Sequence, residues 1–161
     1  MTLNVPVLRD ASAGRDARVD RIVISADGFH LHALDAGGNI VFHFPTTMGS
    51  SYDPSPEGTH RVTKITRDPW WHYQPSILEH VDSSEPEANI PPGPNNAVGV
   101  VWMALSIPHY GIHGTSAPET IGYTTSAGCV RLTYLDASFL GDRIAEGTSV
   151  EFTRSGGGPG S

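Results

Sequence analysis

The chain has 161 residues, of which 38% are apolar, enough for one compact domain with a real core. Glycine (18) and proline (13) are abundant while charged residues reach only 17%, a mix that predicts short strands joined by turns and excludes a helical bundle. The net charge of −7, with no basic stripe, excludes a nucleic-acid partner, because phosphate binding needs clustered Lys and Arg; the acidity reads as solubility.

Cys129 is the single cysteine, so no intrachain disulfide forms and the redox compartment stays open. Residues 1–14 carry charges and a proline but no apolar stretch of the secretory kind. The longest apolar run, residues 98–105, is too short to span a bilayer. The expectation is a cytosolic protein, or the mature or excised domain of a secreted precursor.

In chain order, residues 1–19 read as a lead-in or linker with a short strand at 5–8, 20–153 as the folded domain, and 154–161 as a disordered tail or cloning scar. Residues 21–25 are β-branched and predict a strand. Residues 30–34 and 39–44 flank Asp35-Ala-Gly-Gly38, which predicts a hairpin with a glycine turn. Residues 54–58 predict a turn and 60–65 a strand. Residues 68–96 hold Trp70, Trp71 and Tyr73, an acidic run and a proline cluster, and read as a long functional loop or lid, with disorder as the rival. The run 98–105 predicts a central strand buried on both faces. Residues 110–113 end another strand. Thr133 opens a capping-box pattern with Asp136, and Leu135, Phe139, Leu140 and Ile144 follow at helical spacing until Gly147 stops the helix. Residues 148–153 close with a strand. No internal repeat is present, and the picture is a mainly β domain with one clear helix near the C-terminus.

The chemistry concentrates in Ile112-His-Gly-Thr115 and Ser126-Ala-Gly-Cys-Val-Arg-Leu132. Gly111, Gly114, Gly122, Ala127 and Gly128 surround His113 and Cys129 with small residues. Acyl transfer by a thiol needs such room, because a carbonyl must reach the sulfur and backbone N–H groups must face the oxyanion. It also needs a base, since a free thiol is little ionised at neutral pH. The bland alternative is a Cys that packs as a small apolar residue and a His that is a satisfied structural group. One cysteine lacks the paired spacing of a closed zinc site, so neither metal nor cofactor is expected. His30 and His32 suggest a metal pair but alternate with Leu31 and Ala33 and read as an exposed strand face. Asp82, Glu85 and Glu87 read as a flexible acidic loop with nothing to place them.

These residues resemble the catalytic motif of the L,D-transpeptidases, the YkuD-like family: His-Gly, a spacer, then Ser-x-Gly-Cys-[Ile/Val]-Arg. Here they are His113-Gly114 and Ser126-Ala127-Gly128-Cys129-Val130-Arg131. The resemblance extends to the turn at 54–58, the segment 91–99, Asp136-Ala137, Gly147-Thr148 and Val150, and so covers roughly residues 20–153. Many members carry His where this chain has Ala127. The resemblance implies a β-sandwich-like catalytic fold and a peptidoglycan L,D-transpeptidase in the periplasm or cell envelope. Cys129 would attack the stem tetrapeptide before its terminal D-alanine, and an amine of a neighbouring stem would take the acyl group. It also implies His113 as base, oriented by the Gly114 carbonyl. Gly128 and Cys129 would supply oxyanion N–H groups, while Ser126 holds the loop. Arg131 would bind a substrate carboxylate or pin the loop. Tyr110 lines the cleft or packs, and Trp71 stacks on substrate or packs. The partners implied are donor and acceptor stem peptides, for a protein expected to be a monomer without a membrane span. An L,D-carboxypeptidase or an envelope-protein attachment enzyme would use the same site, and a wall-binding module with a vestigial site is the non-enzymatic alternative.

Overall fold

A computed structural model describes residues 17–25, 28–49, 57–77, 82–93, 96, 98–122, 125–126 and 129–153. The expected strand at 5–8 and the first three residues of the expected turn at 54–58 lie outside them. The mainly β expectation holds. The principal strands are β1 (Arg21–Ser25), β2 (His30–Leu34), β3 (Ile40–Pro45), β5 (Gly58–Arg67), β8 (Val101–Leu105), β9 (Gly111–Thr115), β11 (Val130–Thr133) and β12 (Ser149–Thr153). They form one eight-stranded sheet in the order β11-β9-β8-β5-β12-β1-β2-β3. Two small ladders stand apart: β4 (Met48–Gly49) with β10 (Thr125–Ser126), and β6 (Trp71–Tyr73) with β7 (Ala88–Ile90).

The long strand β5 makes the sheet sandwich-like. Its first half, Gly58 to Arg61, pairs with β12, and its second half, Val62 to Arg67, pairs with β8. A register shift between Val62 and Lys64 marks the change of partner. A bulge of this kind bends a strand and lets it serve two layers. The two halves then share one core, in which Ile22, Ile24 and Leu31 from one side pack in the same cluster as Val101, Met103, Ile112, Val130 and Leu132 from the other.

The predicted hairpin of β2 and β3 forms, with Gly38 at φ 81° in its turn. Residues 98–100 form a turn rather than strand, and β8 buries Val101, Met103 and Leu105 while Trp102 and Ala104 stay half-buried. One face of this strand is therefore core and the other is available to the site, which corrects the reading of a strand buried on both faces.

Helix α1 (Tyr134–Gly141) begins where the capping pattern places it: the Asp136 N–H donates to Thr133 Oγ1 at 3.1 Å. It ends earlier than the spacing predicts. Asp142 caps it, and the Arg143 guanidinium lies over the Phe139 ring at 3.4 Å while donating to the Phe139 carbonyl at 2.9 Å. That side chain satisfies a carbonyl the next helical turn would have used. Ile144 therefore lies beyond the helix, and Leu135, the first of the residues at helical spacing, is 83% exposed. Gly147, at φ 92°, instead turns the chain into β12.

Candidate active site

Strands β9 and β11 run parallel at one edge of the sheet, and their register builds the site. Arg131 pairs with His113, and His113 pairs in turn with Trp102 of β8. Directly paired residues point to one face. Trp102, His113 and Arg131 thus form a row on the face opposite the core, which Ile112, Val130 and Leu132 fill from the other side. The Trp102 and His113 rings stack with centroids 5.4 Å apart and an interplanar angle of 27°. Gly111 makes this possible, because a Cβ there would sit 2.6 Å from the Trp102 ring.

His113 is 6% exposed, and its Nδ1 lies 2.6 Å from the Gly114 carbonyl oxygen. A carbonyl only accepts, so Nδ1 carries the proton and Nε2 keeps its lone pair. Burial pushes the His113 pKa down to about 4; the Gly114 carbonyl opposes this, and the positive charge of Arg131 adds to it. The imidazole is therefore neutral at neutral pH. Burial also lowers the pKa of Arg131, and the charge of Cys129 counteracts that effect. Arg131 thus feels both members of the Cys–His pair.

Cys129 is half-buried and lies one residue before β11. Its Sγ lies 3.6 Å from the His109 carbonyl oxygen, within reach of a weak S–H···O bond. His109 has φ 69° in the turn from β8 to β9. Pro108 precedes it and the Tyr110 N–H donates to the Ile107 carbonyl at 3.3 Å, a type II arrangement that usually takes glycine at this position. The strained residue thus presents its carbonyl to the thiol.

A sequence profile of the L,D-transpeptidase catalytic domain (YkuD) matches residues 19–152. The chain belongs to this L,D-transpeptidase family. It is 35% identical over 137 residues to YbiS of Escherichia coli, named as an L,D-transpeptidase, covering 81% of this chain and 44% of that protein. It is 42% identical over 65 residues to YkuD of Bacillus licheniformis, named likewise, covering 40% of this chain and 39% of that one. The chain thus spans less than half the length of these two relatives. Among solved structures, an L,D-transpeptidase from Mycobacterium smegmatis matches with a TM-score of 0.64 at 15% identity, covering 83% of this chain and 58% of that one. L,D-transpeptidase 3 from Mycobacterium tuberculosis, in complex with a faropenem-derived adduct, matches with a TM-score of 0.62 at 17% identity, covering 82% and 59%. Both likenesses are of fold.

Within this L,D-transpeptidase domain, neighbouring elements hold the row in place. Thr47 and Arg131 exchange backbone hydrogen bonds, both 3.1 Å, and Thr47 Oγ1 donates to the Thr120 carbonyl at 3.1 Å. The Gly122 N–H donates to the Thr46 carbonyl at 3.0 Å, so the buried Thr46-Thr47 pair ties the loop after β9 to β11. Behind the His113 carrier, Tyr134 packs so closely that a Cβ on Gly114 would lie 2.5 Å from its ring, and its hydroxyl donates to the Asn96 carbonyl at 2.9 Å. Asn96 is fully buried; its Nδ2 donates to the Pro69 carbonyl at 2.7 Å and its Oδ1 accepts from the Val98 N–H at 2.9 Å.

The other expected residues divide. Ser126 lies on β10, its backbone paired with Gly49 of β4. Gly128 and Ala127 lie outside the described residues, so the expected Gly128 oxyanion donor does too. Tyr110 packs against the core. Trp71 sits on the β6–β7 ladder opposite Ile90, edge-on to Tyr73 at 5.4 Å, and no strand pairing brings it to β9. The same ladder corrects the reading of the acidic loop. Tyr73 donates to Glu85 at 2.8 Å, His72 meets Glu87 at 3.1 Å, and Asp82 accepts from the Ser84 N–H and hydroxyl at 2.9 and 2.7 Å, so all three carboxylates have definite partners. The sequence does not mark Trp102, His109, Thr47 or Tyr134 as site residues. Only Trp102 left a trace in the sequence, as the large side chain at an alternating position of an apolar strand. No helix among the described residues is long and apolar enough to cross a membrane.

Proposed function

We propose that the chain is the catalytic domain of a peptidoglycan L,D-transpeptidase, with Cys129 as nucleophile and His113 as base. The observation that carries this reading is the His113 imidazole, buried and neutral, with Nδ1 committed to the Gly114 carbonyl and Nε2 left to accept a proton. The thiol at rest bonds to the His109 carbonyl and must turn its proton to Nε2 to react. The thiolate then attacks the carbonyl before the terminal D-alanine of a donor stem tetrapeptide. The C–N bond breaks, D-alanine leaves as an amine with the proton from His113, and a thioester remains. An acceptor amine attacks the thioester, loses a proton to His113 and restores the thiol. The product joins the third residues of two stems.

Arg131, coupled in charge to Cys129, stabilises the thiolate and the developing oxyanion alongside the backbone N–H groups of Gly128 and Cys129. Ser126 holds the loop through β10. Trp71 and Tyr110 act in packing and cleft shape. No cofactor or metal is needed for these steps. A peptidoglycan substrate sets the proposed place of work in the periplasm or cell envelope, with donor and acceptor stem peptides as partners.

The test is intact-mass analysis after incubation with a carbapenem. The unaltered chain should gain one adduct mass, and Cys129→Ala should gain none while unfolding at a similar temperature. An unmodified mass for the unaltered chain would overturn the assignment of Cys129. Release of D-alanine without cross-linked product in the presence of an acceptor stem would point instead to the carboxypeptidase reading.

A further inference from the structure

We propose that Trp102 is the positioning residue of the base: its indole covers one face of the His113 imidazole and fixes the plane in which Nε2 presents its lone pair. This role rests on His113 serving as base to Cys129. Trp102 acts through that ring and not on the substrate.

Strand β8 sends Val101, Met103 and Leu105 into the core and leaves Trp102 half-buried on the other face. A tryptophan outside the core has two large ring faces to place, and this one spends a face on the base. Register sets Trp102 between Thr66 of β5 and His113 of β9, with Arg131 of β11 on the far side of His113. Gly111, two residues before His113 on the same face, makes the seat. A Cβ there would lie 2.6, 2.7 and 2.9 Å from three atoms of the indole. The indole therefore reaches over Gly111 and lies against the imidazole, with centroids 5.4 Å apart and planes 27° from parallel.

The hydrogen bond from Nδ1 to the Gly114 carbonyl, 2.6 Å, holds the ring at one nitrogen only. A ring held at one point still swings about that bond, and Nε2 sweeps an arc. A flat surface against its face removes this freedom, as the orienting partner of a base must. The indole also keeps water from that face, in keeping with burial as the main cause that holds the His113 pKa down to about 4. Its negative ring face then steadies the imidazolium that forms when the thiol proton arrives. Two other groups bear on this titration: the Gly114 carbonyl favours the cation and the Arg131 charge opposes it. Cys129 precedes β11, and His109 turns its carbonyl to that thiol. Thr66, Ala104 and Thr47 carry no charge, and the Tyr134 hydroxyl of α1 is given to the Asn96 carbonyl.

The experiment follows carbapenem acylation of Cys129 by intact mass between about pH 4 and 8, and titrates the His113 ring by NMR. Trp102→Phe keeps a ring face and should acylate within about threefold of the unaltered chain. Trp102→Leu keeps apolar bulk without the flat face and should be slowed about tenfold or more. Its acid limb and its His113 titration should both move up by about one pH unit, because water reaches the imidazole and burial depresses it less. Gly111→Ala, which displaces the indole without deleting it, should shift both in the same direction. An unmoved His113 titration in Trp102→Leu, whatever its rate, marks simple packing and overturns the proposal. So does a Trp102→Phe chain no better than Trp102→Leu. Should the variants fail to fold, the unaltered chain still decides: the His113 ring protons should lie upfield under the indole ring current, and ordinary positions overturn the stacking. Failure of the unaltered chain to acylate would count against Cys129 itself, while the His113 titration still tests Trp102.

Discussion

His113 owes its form to two glycines more than to its own sequence position. Gly111 lets the Trp102 ring slide against the imidazole, and Gly114 lets Tyr134 press against the backbone whose carbonyl holds Nδ1. A methyl group at Gly114 would meet the Tyr134 ring at 2.5 Å and the Tyr134 Cα at 3.4 Å. The ring would have to move, and the carbonyl with it. Gly114→Ala should therefore destabilise the domain by about 1–3 kcal/mol, as overpacking does. It should also slow carbapenem acylation of Cys129, measured by mass spectrometry against time. An unchanged melting temperature together with an unchanged rate would show that Tyr134 does not press on Gly114. The glycines around Cys129 and His113 were visible in the sequence as room for a substrate. Their second use, as seats for Trp102 and Tyr134, was not, because it depends on aromatic side chains that arrive from another strand and from the helix.

Among the elements, the β6–β7 ladder hangs on one residue. Asn96 donates to Pro69 at the start of this segment and to the Ile90 and Pro91 carbonyls, at 3.4 and 3.3 Å, at its end. Its Oδ1 turns the chain by accepting from Val98, and its own carbonyl accepts from Tyr134. One side chain thus links both ends of the segment to the turn before β8. Asn96→Ala would leave buried backbone groups unpaired, at a cost of about 1–3 kcal/mol for each group that water does not reach. The expected outcome is a lower unfolding temperature and faster proteolysis within residues 68–93, read by limited digestion. Equal digestion of variant and unaltered chain would rule out this anchoring role. The sequence marked residues 68–96 as an unusual connection from its prolines, tryptophans and acids. It did not reveal the short ladder within it, because three-residue strands carry no period, and their pairing partners lie fifteen to nineteen positions apart.

For the whole molecule, the buried neutral His113 ties stability to pH. Its pKa is about 4 in the fold, against 6.5 for an unperturbed imidazole. The unfolded chain therefore takes up a proton near pH 6.5 that the folded chain refuses until about pH 4. Stability falls as the pH drops through that window and is constant with respect to this group outside it, and the full loss is on the order of 3 kcal/mol. Urea unfolding at pH 7.5 and at pH 4.5 should show the difference, and His113→Asn should have a shallower dependence. Equal slopes for the two chains would mean that His113 titrates normally in the fold.

Before any tertiary contact, the sequence determined the class of fold, the hairpin at β2–β3, the start of the helix and the residues competent for thiol chemistry. These follow from local signals: alternation, turn glycines, the Thr133 cap, and the residue types His, Gly, Ser, Cys and Arg at a recognisable spacing. Tertiary structure alone decided where the helix stops, which face of β8 the core leaves open, and that β5 serves both halves of the sheet. It alone set Trp102, His113, Arg131 and Thr47 in one row and put the His109 carbonyl against the thiol. The physical reason is the same in each case. Cross-strand register and side-chain packing join residues distant in the chain, and their energies depend on partners that no local window of sequence contains.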